Sequence, residues 1–202
     1  LKEVYFQAMT STLIYAKRDA VLVDAFMTIK KADALADWVR ASGKNLTTIY
    51  ITHGHGDHWF GIGTILEHFP NARAVATPDV VKVMRQHASP EVLEKVWKAA
   101  FPGQISERLV IAEELKENVI ELEGHELVAV ELGHTDTDHT TCLNVPSIGL
   151  VVAGDAAYND VHLYLVESNP KTRLEWISAL DKIESLNPHA VIASHKRPDR
   201  ED

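Results

Sequence analysis

Short apolar stretches alternate with longer amphipathic ones along this chain, and the hydrophobic period switches between about 2 and about 3.6 residues. TLIYA (12–16), AVLVDAF (20–26) and TTIYIT (47–52) are rich in β-branched and aromatic residues between breaks, which predicts strands, as does VYFQAM (4–9) ahead of them. KKADALADWVRASG (30–43) puts Ala34, Leu35, Trp38 and Val39 on one helical face and stops at Gly43. GTILEHF (63–69) reads as a helix closed by Pro70, and ARAVAT (72–77) as a strand. Thr77–Pro78 and Ser89–Pro90 each join a capping residue to a proline at the first helical position, predicting helices over 78–87 and 90–101. Strands then dominate in NVIELE (118–123), HELVAVEL (125–132), TCLNVP (141–146) and GLVVAG (149–154). A last helix opens at Asn169–Pro170 and runs through 173–186, and the strand AVIAS (190–194) follows. Mixed elements with hairpin signals such as LEGHEL (122–127) predict a layered α/β fold on more than one sheet.

With 202 residues and 46% hydrophobic content, the chain is expected to form one domain over 1–202. No apolar run approaches the roughly 18–20 residues of a membrane span, and the start lacks a signal-peptide layout, so the expectation is a cytoplasmic protein without membrane contact. A net charge of −9 without a dense basic patch argues against nucleic acid as a partner. Cys142 stands alone, which excludes an intrachain disulfide and a cysteine-dominated metal site. Histidine, at eleven copies, is the outlier.

Three of the eleven fall in THGHGDHWFG (52–61). His53 and His55, two apart behind a buried strand, leave an extended backbone on one side, and Asp57 and His58 follow where the chain turns. Gly54, Gly56 and Gly61 are expected to ease that turn by accepting unusual φ values. Imidazoles mixed with a carboxylate suit Zn²⁺, Fe or Mn better than Ca²⁺ or Mg²⁺.

THGHGDH resembles the H-x-H-x-D-H signature of the metallo-β-lactamase superfamily of αββα sandwich metallohydrolases. The later family positions have counterparts in order: His134 in ELGHTDTDHT, Asp155 in VVAGDAAY and His195 in VIASHKRP. The resemblance covers about residues 11–195 and implies a four-layer αββα fold. It also implies two divalent cations, Zn²⁺ first with Fe or Mn as alternatives. His53, His55 and His134 would hold one cation, Asp57, His58 and His195 the other, and Asp155 both. A metal-bridging hydroxide would then attack a small-molecule ester, lactone or thioester, with Asp57 orienting it or accepting its proton. Tyr158, three residues past Asp155 as in the family's acyl-homoserine lactone lactonases, is a candidate donor to a developing oxyanion, with plain packing as the other use. His139 is assigned to orienting a ligand, and Asp24 to bracing the metal loop or to a simple strand-end turn. His68, His87, His125 and His189 are expected to serve surface or packing roles, whereas His162 is close enough to Asp155 to face the site.

Relatives narrow the reading. Zinc β-lactamases of the best-known kind carry cysteine at the Asp155 position and lack the second histidine supplied by His58, which lowers amide hydrolysis to an alternative. Flavodiiron proteins usually have a glutamate in place of His55. Glyoxalase II shares the ligand set but grips glutathione with a helical C-terminal region, and seven residues follow His195 here. Persulfide dioxygenases reuse His53, His134 and Asp155 equivalents around one iron, making a mononuclear iron oxidoreductase the other alternative. A helical insertion at about 77–105, with Met84, Val92, Val96, Trp97 and Phe101 at helical spacing, is expected beside the active site. Its apolar stripe is open to use as core, homodimer contact or, together with Trp59, substrate wall.

Overall fold

The computed structural model describes residues 7–199. The expected first strand therefore lies half outside the described residues; within them, Met9 forms an isolated bridge to His195. Strands β1 (Thr12–Tyr15), β2 (Asp19–Val23), β3 (Asn45–Tyr50), β4 (Arg73–Ala76) and β5 (Glu113–Glu114) form one sheet in that order. The β1–β2 pair is antiparallel and the rest are parallel. The second sheet runs β11 (Ala190–Ile192), β9 (Leu150–Val152), β8 (Thr140–Val145), β7 (His125–Gly133), β6 (Val119–Leu122), antiparallel except for β9–β11. A small parallel pair joins β10 (Tyr158–Asn159) to β12 (His195–Lys196).

The alternation of side chains along these strands explains the layering. Val21 and Val23 of β2 and Tyr50 of β3 pack with Leu127 and Ala129 of β7 and Leu143 of β8, filling the space between the sheets. On the opposite face of the first sheet, Leu22 and Ile49 pack with Ala32, Leu35 and Val39 of α1 (Ile29–Ala41) and Ile62 and Ile65 of α3 (Ile62–His68). On the outer face of the second, Cys142 and Val151 pack with Ala179 and Ile183 of α6 (Pro170–Ser185). Helix, sheet, sheet, helix: this is the expected four-layer sandwich. The helices over 78–87, 90–92 and 170–185 start at the predicted Thr77–Pro78, Ser89–Pro90 and Asn169–Pro170, with a side-chain cap from Ser89 and an Asn169–Thr172 capping box but none from Thr77, and Thr28 caps α1.

Two local expectations change. The expected Gly-rich turn contains one helical turn, α2 (Gly56–Trp59), and Gly54, Gly56 and Gly61 are absent from the positive-φ glycines. They are needed for space instead: a Cβ on Gly61 would collide with the Ala25 carbonyl oxygen, and one on Gly54 with Val83. The region 77–105 holds α4 (Pro78–His87) and α5 (Pro90–Val92), and α5 continues as a π-helical stretch over Leu93–Lys98.

Candidate metal centre

The candidate ligands follow the C-terminal ends of strands from both sheets: His53 to His58 after β3, His134 after β7, Asp155 after β9 and His195 after β11. All seven are buried. Potential ligand atoms of Asp57, His58 and His195 lie within 4.8 Å of one another, as do those of His53, His58 and Asp155. Asp155 lies between imidazoles, its Oδ1 3.3 Å from His58 Nε2 and its Oδ2 3.3 Å from His195 Nε2. Asp57 Oδ2 is 3.6 Å from the Nε2 atoms of both.

The remaining trio departs from the sequence reading. His53 and His55 cluster with Asp136, whose Oδ2 lies 3.5 Å from His53 Nε2 and 2.9 Å from His55 Nδ1. His134 is not in that trio; its Nδ1 donates to Asp138 Oδ1 at 2.7 Å. Asp136, a carboxylate two residues past His134, is a member that the sequence reading does not name. The orienting role expected of His139 belongs to Asp138. His139 sits at φ +59° with half its side chain exposed, 3.7 Å from Asp79.

A common pattern runs through the imidazoles: one ring nitrogen is held from outside and the other faces the cluster. His58 Nδ1 donates to Asp24 Oδ2 (2.9 Å), His53 Nδ1 meets Thr52 Oγ1 (3.1 Å), and His195 Nδ1 donates to the Ala8 carbonyl (3.2 Å). His55 presents Nε2 to Glu167 Oε1 at 3.0 Å, so Nδ1 faces inward. The inward Nε2 atoms of His53, His58 and His134, with Asp155 Oδ1, are buried without a hydrogen-bond partner. Leaving such atoms unsatisfied costs about 1–3 kcal/mol each, and fixed tautomers with free inner lone pairs are what divalent cations require. The donor set therefore fits a cation cluster.

Opposite charges within the cluster support one another. Burial opposes charge on His55, but carboxylates of Asp136 and Glu167 on its two nitrogens outweigh it and push its pKa up to about 10. Against the same opposition, Asp155 and Asp57 raise His195 to about 9. Burial also works against Asp57, yet His58 and His195 hold it down at about 2. His53 is lowered by burial and by neighbouring His58.

Asp24 is a brace. Its carboxylate accepts from Thr52 N (2.9 Å), Thr52 Oγ1 (2.9 Å) and His58 Nδ1 (2.9 Å). The backbone here adds Ala25 N to His58 O (2.7 Å) and Gly61 N to Phe26 O (2.9 Å).

A cavity of about 650 Å³ opens on the cluster, within the range of small-molecule sites. His55, Asp57, Asp155 and His195 form its polar end, and Val92, Val96, Trp97 and Phe101 an apolar wall. Met84, by contrast, is fully buried in the core. Trp59 is also fully buried; it donates Nε1 to the Gly54 carbonyl (3.0 Å) and so holds the ligand loop. His162 lines the cavity, and so does His87, against its expected surface or packing role; its ring is 5.3 Å from that of His55. Tyr158 stacks on His195 (ring centroids 5.5 Å apart) and donates its hydroxyl to Asp155 Oδ2 at 2.8 Å. Burial and the Asp155 charge raise its pKa, so it stays protonated.

Two layers of helix around paired sheets, with a His/Asp cluster at the strand ends, define the class: an αββα protein with a candidate cation-binding centre. The metallo-β-lactamase superfamily profile matches residues 6–195, and the chain belongs to that superfamily. It is 36% identical over 64 residues to a hydroxyacylglutathione hydrolase of Francisella tularensis subsp. novicida, covering 32% of this chain and 24% of that protein. A homologue of the same name in Francisella philomiragia is 34% identical over 67 residues, 33% of this chain and 25% of its own. The match thus spans about a quarter of these relatives' length. Among solved structures, the FIM-1 metallo-β-lactamase of Pseudomonas aeruginosa, in a mono-zinc form, superposes with TM-score 0.67 at 17% identity, covering 91% of this chain and 74% of its own. A metallo-β-lactamase family protein of Thermus thermophilus gives 0.68 at 20%, covering 93% and 68%. At such identities the likeness establishes the fold. Among the described residues, no helix is long and apolar enough to cross a membrane.

Proposed function

We propose that this protein is a dinuclear metal-dependent hydrolase of a small ester, lactone or thioester. The observation that carries the reading is the convergence of inward imidazole nitrogens on the Asp155 carboxylate, which itself lies at the polar end of one cavity. His53 and His55, with His134 or Asp136, would hold one cation; Asp57, His58 and His195 would hold the other, with Asp155 shared. When bound, two divalent cations acidify water and polarise a carbonyl oxygen.

The chain's own residues do the rest. Asp57, at the cavity end, is placed to accept a proton during attack and return it to the leaving group. Tyr158, protonated, steadies Asp155 through its hydroxyl; a shift of that donor to a substrate oxygen would supply the oxyanion contact. Trp97, Val96 and Phe101 would seat an apolar acyl group and exclude water from it. The thioester option draws support from the two hydroxyacylglutathione hydrolases, whose matched segments are short.

The test is elemental analysis of protein purified without added metal, followed by a panel of esters, lactones and thioesters assayed with the metal found. Turnover that is lost in a folded Asp57→Asn variant supports the reading. No turnover on any class, or one iron per chain with oxygen consumption on a persulfide, overturns it.

A further inference from the structure

The outer partners of His53, His58 and His134 are Thr52, Asp24 and Asp138, within or bracing the ligand loops, and that of His195 is a main-chain carbonyl. His55 differs. Its outer nitrogen is held by Glu167, which lies on the 160–169 loop between β10 and α6. That loop walls the cavity through His162, Leu163 and Tyr164. It also carries an exposed apolar run, Leu163 to Val166, from 40% to 79% accessible. With that much apolar surface left accessible, packing alone holds the loop only in part. Polar contacts add to the hold: at its N-terminal side Gln7 Nε2 donates to the His162 carbonyl at 2.9 Å and Arg197 pairs with Asp160 at 3.2 Å, while toward the cluster Glu167 Oε1 lies 3.0 Å from His55 Nε2 and Oε2 accepts from Thr137 Oγ1 at 2.6 Å. The Tyr164 ring also meets the His55 ring edge-on, centroids 5.5 Å apart.

One carboxylate thus joins the β3–α2 ligand loop, the turn after His134 and the substrate wall. A carboxylate only accepts, so its contact with His55 requires the proton on Nε2 and leaves Nδ1 as the inward donor atom. Every imidazole needs that constraint, and His55 draws it from a partner that also belongs to the cavity loop.

We propose that Glu167 is a positioning residue that sets the Nδ1-inward orientation of His55 and latches the 160–169 loop, so that cation binding and closure of the cavity wall are coupled. The proposal rests on the metal-centre reading above but not on which substrate is cleaved. The experiment titrates the full chain with Co²⁺, following visible absorption under chelator competition, for the parent, Glu167→Ala and Glu167→Gln. Limited proteolysis within 160–169, with and without Co²⁺, is followed in parallel. The expected result is a loss of about 10- to 100-fold in Co²⁺ affinity for E167A and recovery to within about threefold for E167Q, whose amide oxygen still accepts from Nε2. Co²⁺ should slow loop cleavage in the parent and not in E167A. If E167A fails to fold, Glu167→Asp, too short to span His55 and Thr137 together, carries the same expectation. Parent-like Co²⁺ affinity in E167A, or loop cleavage indifferent to Co²⁺ in the parent, overturns the proposal and leaves the hydrolase reading standing. Tight Co²⁺ binding and loop protection without turnover on the substrate panel would do the reverse.

Discussion

Asp24 offers the sharpest handle on the centre, because one conservative change there reverses a tautomer without moving a ligand. Its carboxylate receives Thr52 N–H, Thr52 Oγ1–H and His58 Nδ1–H, all buried. Asparagine keeps a carbonyl oxygen for the Thr52 amide and tolerates the left-handed backbone at φ +61°. Its amide nitrogen, however, donates toward His58 Nδ1. The imidazole must then carry its proton on Nε2, the atom 3.3 Å from Asp155 and 3.6 Å from Asp57. A donor N–H would point where a lone pair is required. Asp24→Asn should therefore weaken cation binding at the Asp57, His58 and His195 site by about 10- to 100-fold. Stability should fall by only about 1–3 kcal/mol. Asp24→Ala is the contrast: it orphans both the Thr52 amide and His58 Nδ1, about 2–6 kcal/mol by the same reckoning, a large share of the roughly 5–15 kcal/mol that holds a domain together. Zinc titration with a competing chelator, paired with urea denaturation, reads both quantities. Should a stable D24N protein bind two cations as tightly as its parent, the tautomer argument is wrong.

In chelator-treated protein, His195 and His55 have pKa values raised to about 9 and about 10 from the usual 6.5. Their stabilisation is complete below pH 6.5 and disappears as pH rises through 9 to 10; the urea midpoint should be lower at pH 10 than at pH 7, and a flat or rising midpoint would contradict the pairing. Gly61→Ala places a methyl against the Ala25 carbonyl and should cost about 1–3 kcal/mol, read by denaturation; a neutral substitution would show that the loops are not closely packed. Trp97→Ala strips the indole from the apolar wall, and with that contact gone the ratio of kcat/KM for long against short acyl esters should fall by about tenfold; an unmoved ratio would place the acyl group elsewhere.

Much of the layering was legible because strand alternation is a local property. Val21 and Val23 facing one way and Leu22 the other already imply a sheet buried on both sides. The gathering of the His- and Asp-bearing loops was legible because His53, His134, Asp155 and His195 each follow an apolar strand, where a parallel or mixed sheet gathers its loops. Short pairings such as β10–β12 and the two-residue β5 carry too little pattern to announce themselves. The π-helical turn at 93–98 likewise shares the helical periodicity of its flanks. Within the site, Asp136 had a visible signal, a carboxylate two residues from His134, whereas Glu167 had none. It meets His55 across 112 positions of chain, through a loop whose apolar run would suit a strand equally well. Trp59 looked like substrate wall because aromatic character does not reveal the direction a side chain takes; its indole turned inward to the Gly54 carbonyl.

The central claim is that these side chains gather to hold a pair of cations, and anomalous diffraction from crystals soaked in Zn²⁺ or Mn²⁺ tests it without reference to any substrate. The account predicts two peaks, one against His53 and His55 and the other against Asp57, His58 and His195, both in contact with Asp155. A single peak away from Asp155, or none at saturating metal, would contradict it.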